Sequence, residues 1–206
     1  VISTELPTFE EVELSLEESM ATLNHRVGEL TTLLFKEVDL TVSMEASLST
    51  KYQRLVSIAK SVSDIIAPVS ACSRGCSHCC KMAVTISSHE ADLITKATGI
   101  PHVKAKGLSL EVTQEQTVAK YSGVPCPFLK EDVCGIYEHR PLPCRTHFNI
   151  SKYPALCDIE NNPGQDVPNF DLRSVWYADA AISMEVAYFD DIREFFPDSN
   201  AINPID

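Results

Sequence analysis

The sequence predicts a mainly α-helical protein, in which an N-terminal helical hairpin and a C-terminal helix pack on a small irregular cysteine-rich module with short strands. Two observations predict it. Apolar residues recur at steps of three and four along residues 16–34, 44–66 and about 171–195, the spacing that gathers side chains on one helical face. Between the second and third of these stretches, seven of the eight cysteines fall within residues 72–144, among glycines and prolines that interrupt long regular elements.

With 206 residues, 44% of them hydrophobic and 22% charged, the chain has an ordinary globular composition and can bury a core without crosslinks. The expected organisation is a helical arm over residues 1–69, the cysteine module over residues 70–157, and a C-terminal loop and helix over residues 158–206, all in one compact unit. The net charge of −12 is unevenly placed. Residues 1–70 carry 11 acids and 5 bases, residues 158–206 carry 11 and 2, and residues 71–157 carry 7 and 10. The cysteine-bearing middle is therefore the basic part. An acidic chain without a basic stripe binds nucleic acid poorly, because it cannot displace the counterions of phosphates. No run approaches the ~20 apolar residues of a membrane span, and no basic-then-apolar leader opens the sequence. These features point to a reducing cytoplasm, where clustered cysteines bind metal or do redox chemistry more often than they form structural disulfides.

Along the chain, Thr8 with Glu11 and Ser15 with Glu18 both match a capping box. The second is the expected helix start, because the alternation of Val12, Leu14 and Leu16 also suits a short strand. Leu16, Met20, Leu23, Val27, Leu30 and Leu34 form the expected buried face, opposite an acidic one. A break near residues 39–43 precedes a second face of Met44, Leu48, Tyr52, Leu55, Ala59, Val62 and Ile66, which Pro68 ends. Two such helices make an antiparallel hairpin whose apolar faces are expected to be core; the alternative reading is an acidic arm offered to a protein partner. Residues 82–86 suit a short strand, Ser87 and Glu90 open a helix by another capping box, and Gly99 closes it. A linker with Lys104, Lys106 and Gly107 leads to a short helix over residues 113–121. Residues 154–169 have loop composition. The final helix is expected to reach Phe195, burying Leu172, Val175, Trp176, Ile182, Val186, Phe189 and Ile192, with Pro197 as its stop.

A thiolate is a soft ligand suited to zinc or to iron–sulfur clusters, which usually take four protein ligands. In Cys72-x3-Cys76-x2-Cys79-Cys80 the first three sulfurs share one tight loop that turns at Gly75. A fourth ligand must come from Cys80 or from Cys126, Cys134 and Cys144. Adjacent side chains in an extended stretch point to opposite faces, so Cys79 and Cys80 do not share one role equally. Seven thiolates on one divalent ion would leave a large uncompensated negative charge, so either about four ligate one centre or there are two centres. Arg74, Lys81, Arg140 and Arg145 lie beside the cysteines and are placed to balance residual charge, Arg140 and Arg145 most of all. His78, His139 and His147 are candidate ligands whose plainer role is hydrogen bonding within loops. Cys157 reads as a small buried apolar side chain.

The cysteine loop just described, followed by Cys126-Pro-Phe-Leu, Cys134-Gly-Ile-Tyr and Arg140-Pro-x2-Cys144-Arg145, resembles the cysteine-cluster family of zinc- or iron-chelating proteins. The resemblance implies a metal centre, with an iron–sulfur cluster, [4Fe–4S] foremost, favoured over zinc. It implies ligands among Cys72, Cys76, Cys79, Cys80, Cys126, Cys134 and Cys144 and supplies no reaction. A similar module accompanies a larger catalytic part in flagellin lysine N-methylases, and this chain is too short to hold that part.

The expected function is a metal-binding protein that holds its iron–sulfur cluster, or zinc, through two cysteine loops, for electron transfer or as a metal-dependent scaffold. The ligand set expected is Cys72, Cys76 and Cys79 with at least one of Cys126, Cys134 and Cys144, Cys80 being a further ligand or close by. One alternative is a structural zinc site that presents the acidic helices to a partner. Another is thiol redox at the vicinal pair Cys79 and Cys80, or at a low-pKa cysteine activated by His78. Radical S-adenosylmethionine chemistry shares the first loop's spacing, but too few strand patterns follow it here. No nucleophile–base pair, phosphate loop or paired carboxylates assign an enzymatic reaction.

Overall fold

The computed structural model describes residues 5–106, 110–162 and 167–197; Gly107 of the linker, part of the 154–169 loop and residues 198–206 lie outside them. Helix makes up 57% and strand 7%, the strands forming two small two-stranded sheets, so the mainly α class with short strands holds. No described helix is long and apolar enough to cross a membrane. The chain forms two compact units: residues 1–73 with 145–182, and residues 74–144 with 183–206.

In the first unit, α1 (Phe9–Asn24) starts at the earlier of the two capping boxes. Thr8 Oγ1 accepts from the Glu11 N–H, and Glu11 Oε2 accepts from the Thr8 N–H at 2.7 Å. The alternating stretch after it is thus helix, not strand. The path continues through α2 (Val27–Thr31), a π-helical segment (Thr32–Glu37) and α3 (Val38–Ser43). The expected break at residues 39–43 falls instead at residues 44–47, where Ser47 caps α4 (Leu48–Ile66). α4 packs on α3 and on the π segment, and a 3-10 turn containing Pro68 ends it. Its buried face is the expected one, with Tyr52, Leu55, Ala59, Val62 and Ile66 joined by Ile58 and Ile65.

The α1 face is rotated from the expected one. Met20 is 53% and Val27 49% exposed, whereas Ser15 and Ser19 are buried in line with Leu23, Leu30, Leu34 and Val38. The cause is polar: Ser15 Oγ accepts from the Lys152 N–H at 3.0 Å, and Ser19 Oγ donates to the Val69 carbonyl at 3.5 Å. Small hydroxyls with such partners can be buried on a face that a count of apolar residues alone assigns to solvent.

α8 (Arg173–Ser183) buries Val175 and Ala178 and stops well short of Phe195. In the second unit a turn follows, in which Val186 is 72% exposed, then β4 (Phe189–Asp191) and α9 (Ile192–Phe195). The single long helix is replaced because residues 189–191 pair antiparallel with β1 (Thr85–Ser87), and Asp191 then caps α9. Ser87 ends β1 and caps α5 (Ser88–Thr98) in a capping box with Glu90, and Gly99 closes α5 in the left-handed region at φ 73°. α6 (Leu110–Tyr121) is followed by the hairpin of β2 (Leu129–Lys130) and β3 (Val133–Cys134). The core of this unit gathers Ile86, Ile94, Phe128, Ile136, Ile192, Phe195 and Phe196, and Cys126 and Cys134 pack against it.

Candidate metal centre

The first cysteine loop of the second unit turns at Gly75, whose φ of 95° favours glycine. It winds into a 3-10 turn (His78–Lys81), in which the Cys80 N–H donates to Ser77 and the Met82 N–H to Cys79. The second loop is zipped to it. The Gly123 N–H donates to the Lys81 carbonyl at 2.8 Å and the Cys126 N–H to the Cys80 carbonyl at 2.6 Å. The β2–β3 turn places Glu131 and Asp132 at φ 47° and 59°, the positive pair a tight hairpin requires. From there Asp132 Oδ1 accepts from Ser77 Oγ at 3.3 Å. Beyond the hairpin, the Gly135 N–H donates to the Phe128 carbonyl at 2.8 Å. Cys144 sits in α7 (Leu142–Arg145), whose first N–H donates to the buried Glu90 Oε1 at 2.8 Å.

These contacts bring Cys79, Cys126 and Cys134 within electrostatic reach of Cys144, and Cys134 within reach of Cys126. Burial drives the Cys144 pKa well above its ordinary value, with Cys126, Cys79 and Cys134 adding to the rise and Arg140 opposing it. Burial likewise pushes the Cys126 thiol up to about 12, against the pull of the Phe128 backbone and the Arg193 guanidinium. The Cys79 thiol is raised first by its hydrogen bond with Cys80 and then by burial, Arg140 again opposing. Such shifts run opposite to those of an activated nucleophile.

The cations have unequal places. Arg140 lies over the Tyr137 ring at 3.7 Å, donates from Nε to the Tyr137 carbonyl at 3.0 Å, and directs its charge at Cys79 and Cys144. Arg74 lies over the same ring at 5.6 Å. Arg145 begins the first unit's second stretch. Arg193 and Asp191, which sequence reasoning missed, are buried as an ion pair at 2.9 Å. The Arg193 guanidinium donates to the carbonyls of Cys80, Met82, Val124 and Pro125. The signal that could have found them is a charged pair set between the apolar runs of residues 186–189 and 195–196.

Cys76 is half-buried in the second unit, and Cys72 belongs to the first. Cys72 Sγ accepts from the Asn149 N–H at 3.4 Å and donates to the His147 carbonyl. The fully buried Asn149 also donates from Nδ2 to Cys157 Sγ at 3.5 Å and to the Tyr153 carbonyl at 2.9 Å. Cys157 is buried, as its reading as a small apolar side chain expects. Burial lowers the His147 pKa, and its Nε2 has no hydrogen-bond partner among the described residues. His78 is half-buried in the 3-10 turn and His139 is exposed.

The chemistry of the second unit's donor set, four soft thiols of which Cys126 and Cys134 rest on an apolar core and Cys79 and Cys144 feel the Arg140 guanidinium, fits zinc or iron. Among the described residues, no three Cys, His, Asp or Glu side chains close into a metal-holding group, so the thiols share a neighbourhood rather than a finished polyhedron.

Residues 71–161 match the family described as "CxxCxxCC: Putative zinc- or iron-chelating domain", a stretch that takes in all eight cysteines. The first spacing, Cys72-x3-Cys76, is one residue longer than that description's pattern. No curated protein and no solved structure matches the chain with significance. The middle of the chain, residues 71–161, is thus similar to the CxxCxxCC family, which is described as zinc- or iron-chelating.

Proposed function

We propose that Cys79, Cys126, Cys134 and Cys144 hold a [4Fe–4S] cluster and that the protein serves electron transfer. The observation that carries this reading is the backbone zipper of residues 80–81 to residues 123–126, which joins the two cysteine loops; Cys79, Cys126 and Cys134 all lie within electrostatic reach of Cys144. All four donors are thiols, the donor set of a cysteine-ligated cluster; a zinc site built from four cysteines uses the same set and is the alternative. A bound cluster supplies a one-electron couple.

The chain's own groups have definite parts in this. Each ligating thiol gives up its proton on metal uptake, so binding is favoured by rising pH. Arg140 offsets thiolate charge at Cys79 and Cys144. The core against Cys126 and Cys134 excludes water from one side. Closure of the four sulfurs accompanies uptake, as is usual where metal binding and folding are coupled.

Purification without oxygen, with metal analysis and electron paramagnetic resonance, tests the proposal. Iron with inorganic sulfide and a broad band near roughly 400 nm that bleaches on reduction is the expected result. Zinc in a colourless protein would replace the cluster by the alternative ion. Protein that takes up neither metal would overturn both.

A further inference from the structure

We propose that Arg193, which lies beyond the matched stretch, is a positioning residue of the metal centre: it holds the two cysteine loops in register and fixes a positive charge beside Cys126. The inference rests on the reading of a thiolate-held metal given above.

The geometry is that of a clamp. Nη2 donates to Cys80 and Met82 of the first loop at 3.3 and 3.2 Å, and to Val124 of the second in a short hydrogen bond. Nε donates to the carbonyl of Pro125, the residue before Cys126, at 3.2 Å. One planar group thus spans both loops at the residues that flank their zipper. Nη1 is held by Asp191 at 2.9 and 3.1 Å, and Asp191 is itself fixed by the Val84 N–H at 2.8 Å and the Arg193 N–H at 2.9 Å. The Tyr121 ring closes the arrangement, 5.2 Å from the guanidinium carbon.

Arg193 is only 7% exposed. A buried ion pair is a costly way to stabilise a fold, since well-packed apolar residues do as well or better. Its value here is directional: a guanidinium offers five donors in a fixed fork, and an ammonium cannot reach four carbonyls with that geometry. Arg193 also acts on Cys126 more strongly than Asp191 does, so the pair leaves net positive influence at that sulfur.

The test uses the full chain, stripped of metal under reducing conditions and titrated with Co²⁺ as a thiolate-sensitive probe, in wild type, R193K, R193Q and the control G99A, which strains the left-handed end of α5 and meets no neighbouring atom. R193K and R193Q are expected to weaken Co²⁺ binding by about 10–100-fold, the usual cost of losing a group that orients a ligand. G99A loses stability in the same unit but keeps its affinity. R193Q also moves the sulfur-to-metal charge-transfer band to longer wavelength, because removing a cation raises the sulfur lone pairs, and R193K leaves the band in place. Wild-type affinity and band in both Arg193 variants would overturn the inference, as would an equal loss of affinity in G99A. If R193Q does not fold, R193K decides: affinity equal to wild type or to G99A overturns the role, and a further loss supports it. If the wild type itself takes up no Co²⁺, the metal reading falls, and the role of Arg193 with it.

Discussion

The Cys126 N–H donates to the Cys80 carbonyl at 2.6 Å. Forty-six residues apart in sequence, the two cysteine loops are joined backbone to backbone at the residues that carry the sulfurs. Strain or slippage in one loop is therefore passed directly to the cysteines of the other.

Removing thiols from the second loop should empty the site. The double variant Cys134→Ala, Cys144→Ala is expected to lose nearly all bound metal and the thermal stabilisation that metal confers, whereas Cys157→Ala keeps full metal content. Metal analysis and thermal unfolding with and without chelator check this; a double variant that retains wild-type metal would remove both residues from the ligand set.

Glu90 links the helix start to Cys144. It accepts from the Ser87 N–H at 3.0 Å on one oxygen and from the Leu142 N–H at 2.8 Å on the other. Glu90→Gln turns one acceptor into a donor facing a donor, at a cost of about 1–3 kcal/mol. A lower midpoint in urea, with weaker metal retention because Leu142 lies two residues from Cys144, is the expected outcome.

The rotated face of α1 separates two neighbouring apolar residues. Leu23→Ala should cost about 2–5 kcal/mol because it empties a buried site, while Met20→Ala should change stability by no more than about 0.5 kcal/mol. Equal losses would restore the face expected from periodicity alone.

Burial lowers the His89 pKa, Asp92 opposing in part. The folded value lies below the ordinary one, so the fold favours the neutral ring. That contribution is fully present above the unfolded pKa and is lost as pH falls through the folded value. The melting temperature should therefore drop as pH falls below the ordinary histidine value of 6.5, and His89→Gln should flatten part of that slope. His147, shifted the same way by burial, accounts for a further part.

The helices were legible where the signal is local. The capping pair Ser87 and Glu90, the C-terminal Gly99 and the α4 stripe from Tyr52 to Ile66 each state their own structure within a few residues. Legibility failed where a distant partner decides. The chain after Ser183 keeps a helical apolar pattern, yet residues 189–191 become strand because Thr85, Ile86 and Ser87 offer them a pairing edge. Ser15 and Ser19 are buried because Lys152 and Val69 satisfy their hydroxyls. The cysteine spacing predicted two loops facing one another, and backbone hydrogen bonds between residues 80–81 and 123–126 join them. Spacing was silent on Arg193 and Asp191, because a buried ion pair is recognised only when the carbonyls it serves are seen around it.

The most direct measurement of the central claim is alkylation of each cysteine, read by peptide mass spectrometry, in the metal-loaded protein and after chelation. Cys79, Cys126, Cys134 and Cys144 are expected to be protected together by metal and to become reactive together when it is removed. Labelling of those four in metal-loaded protein at the same rate as in metal-free protein would contradict it.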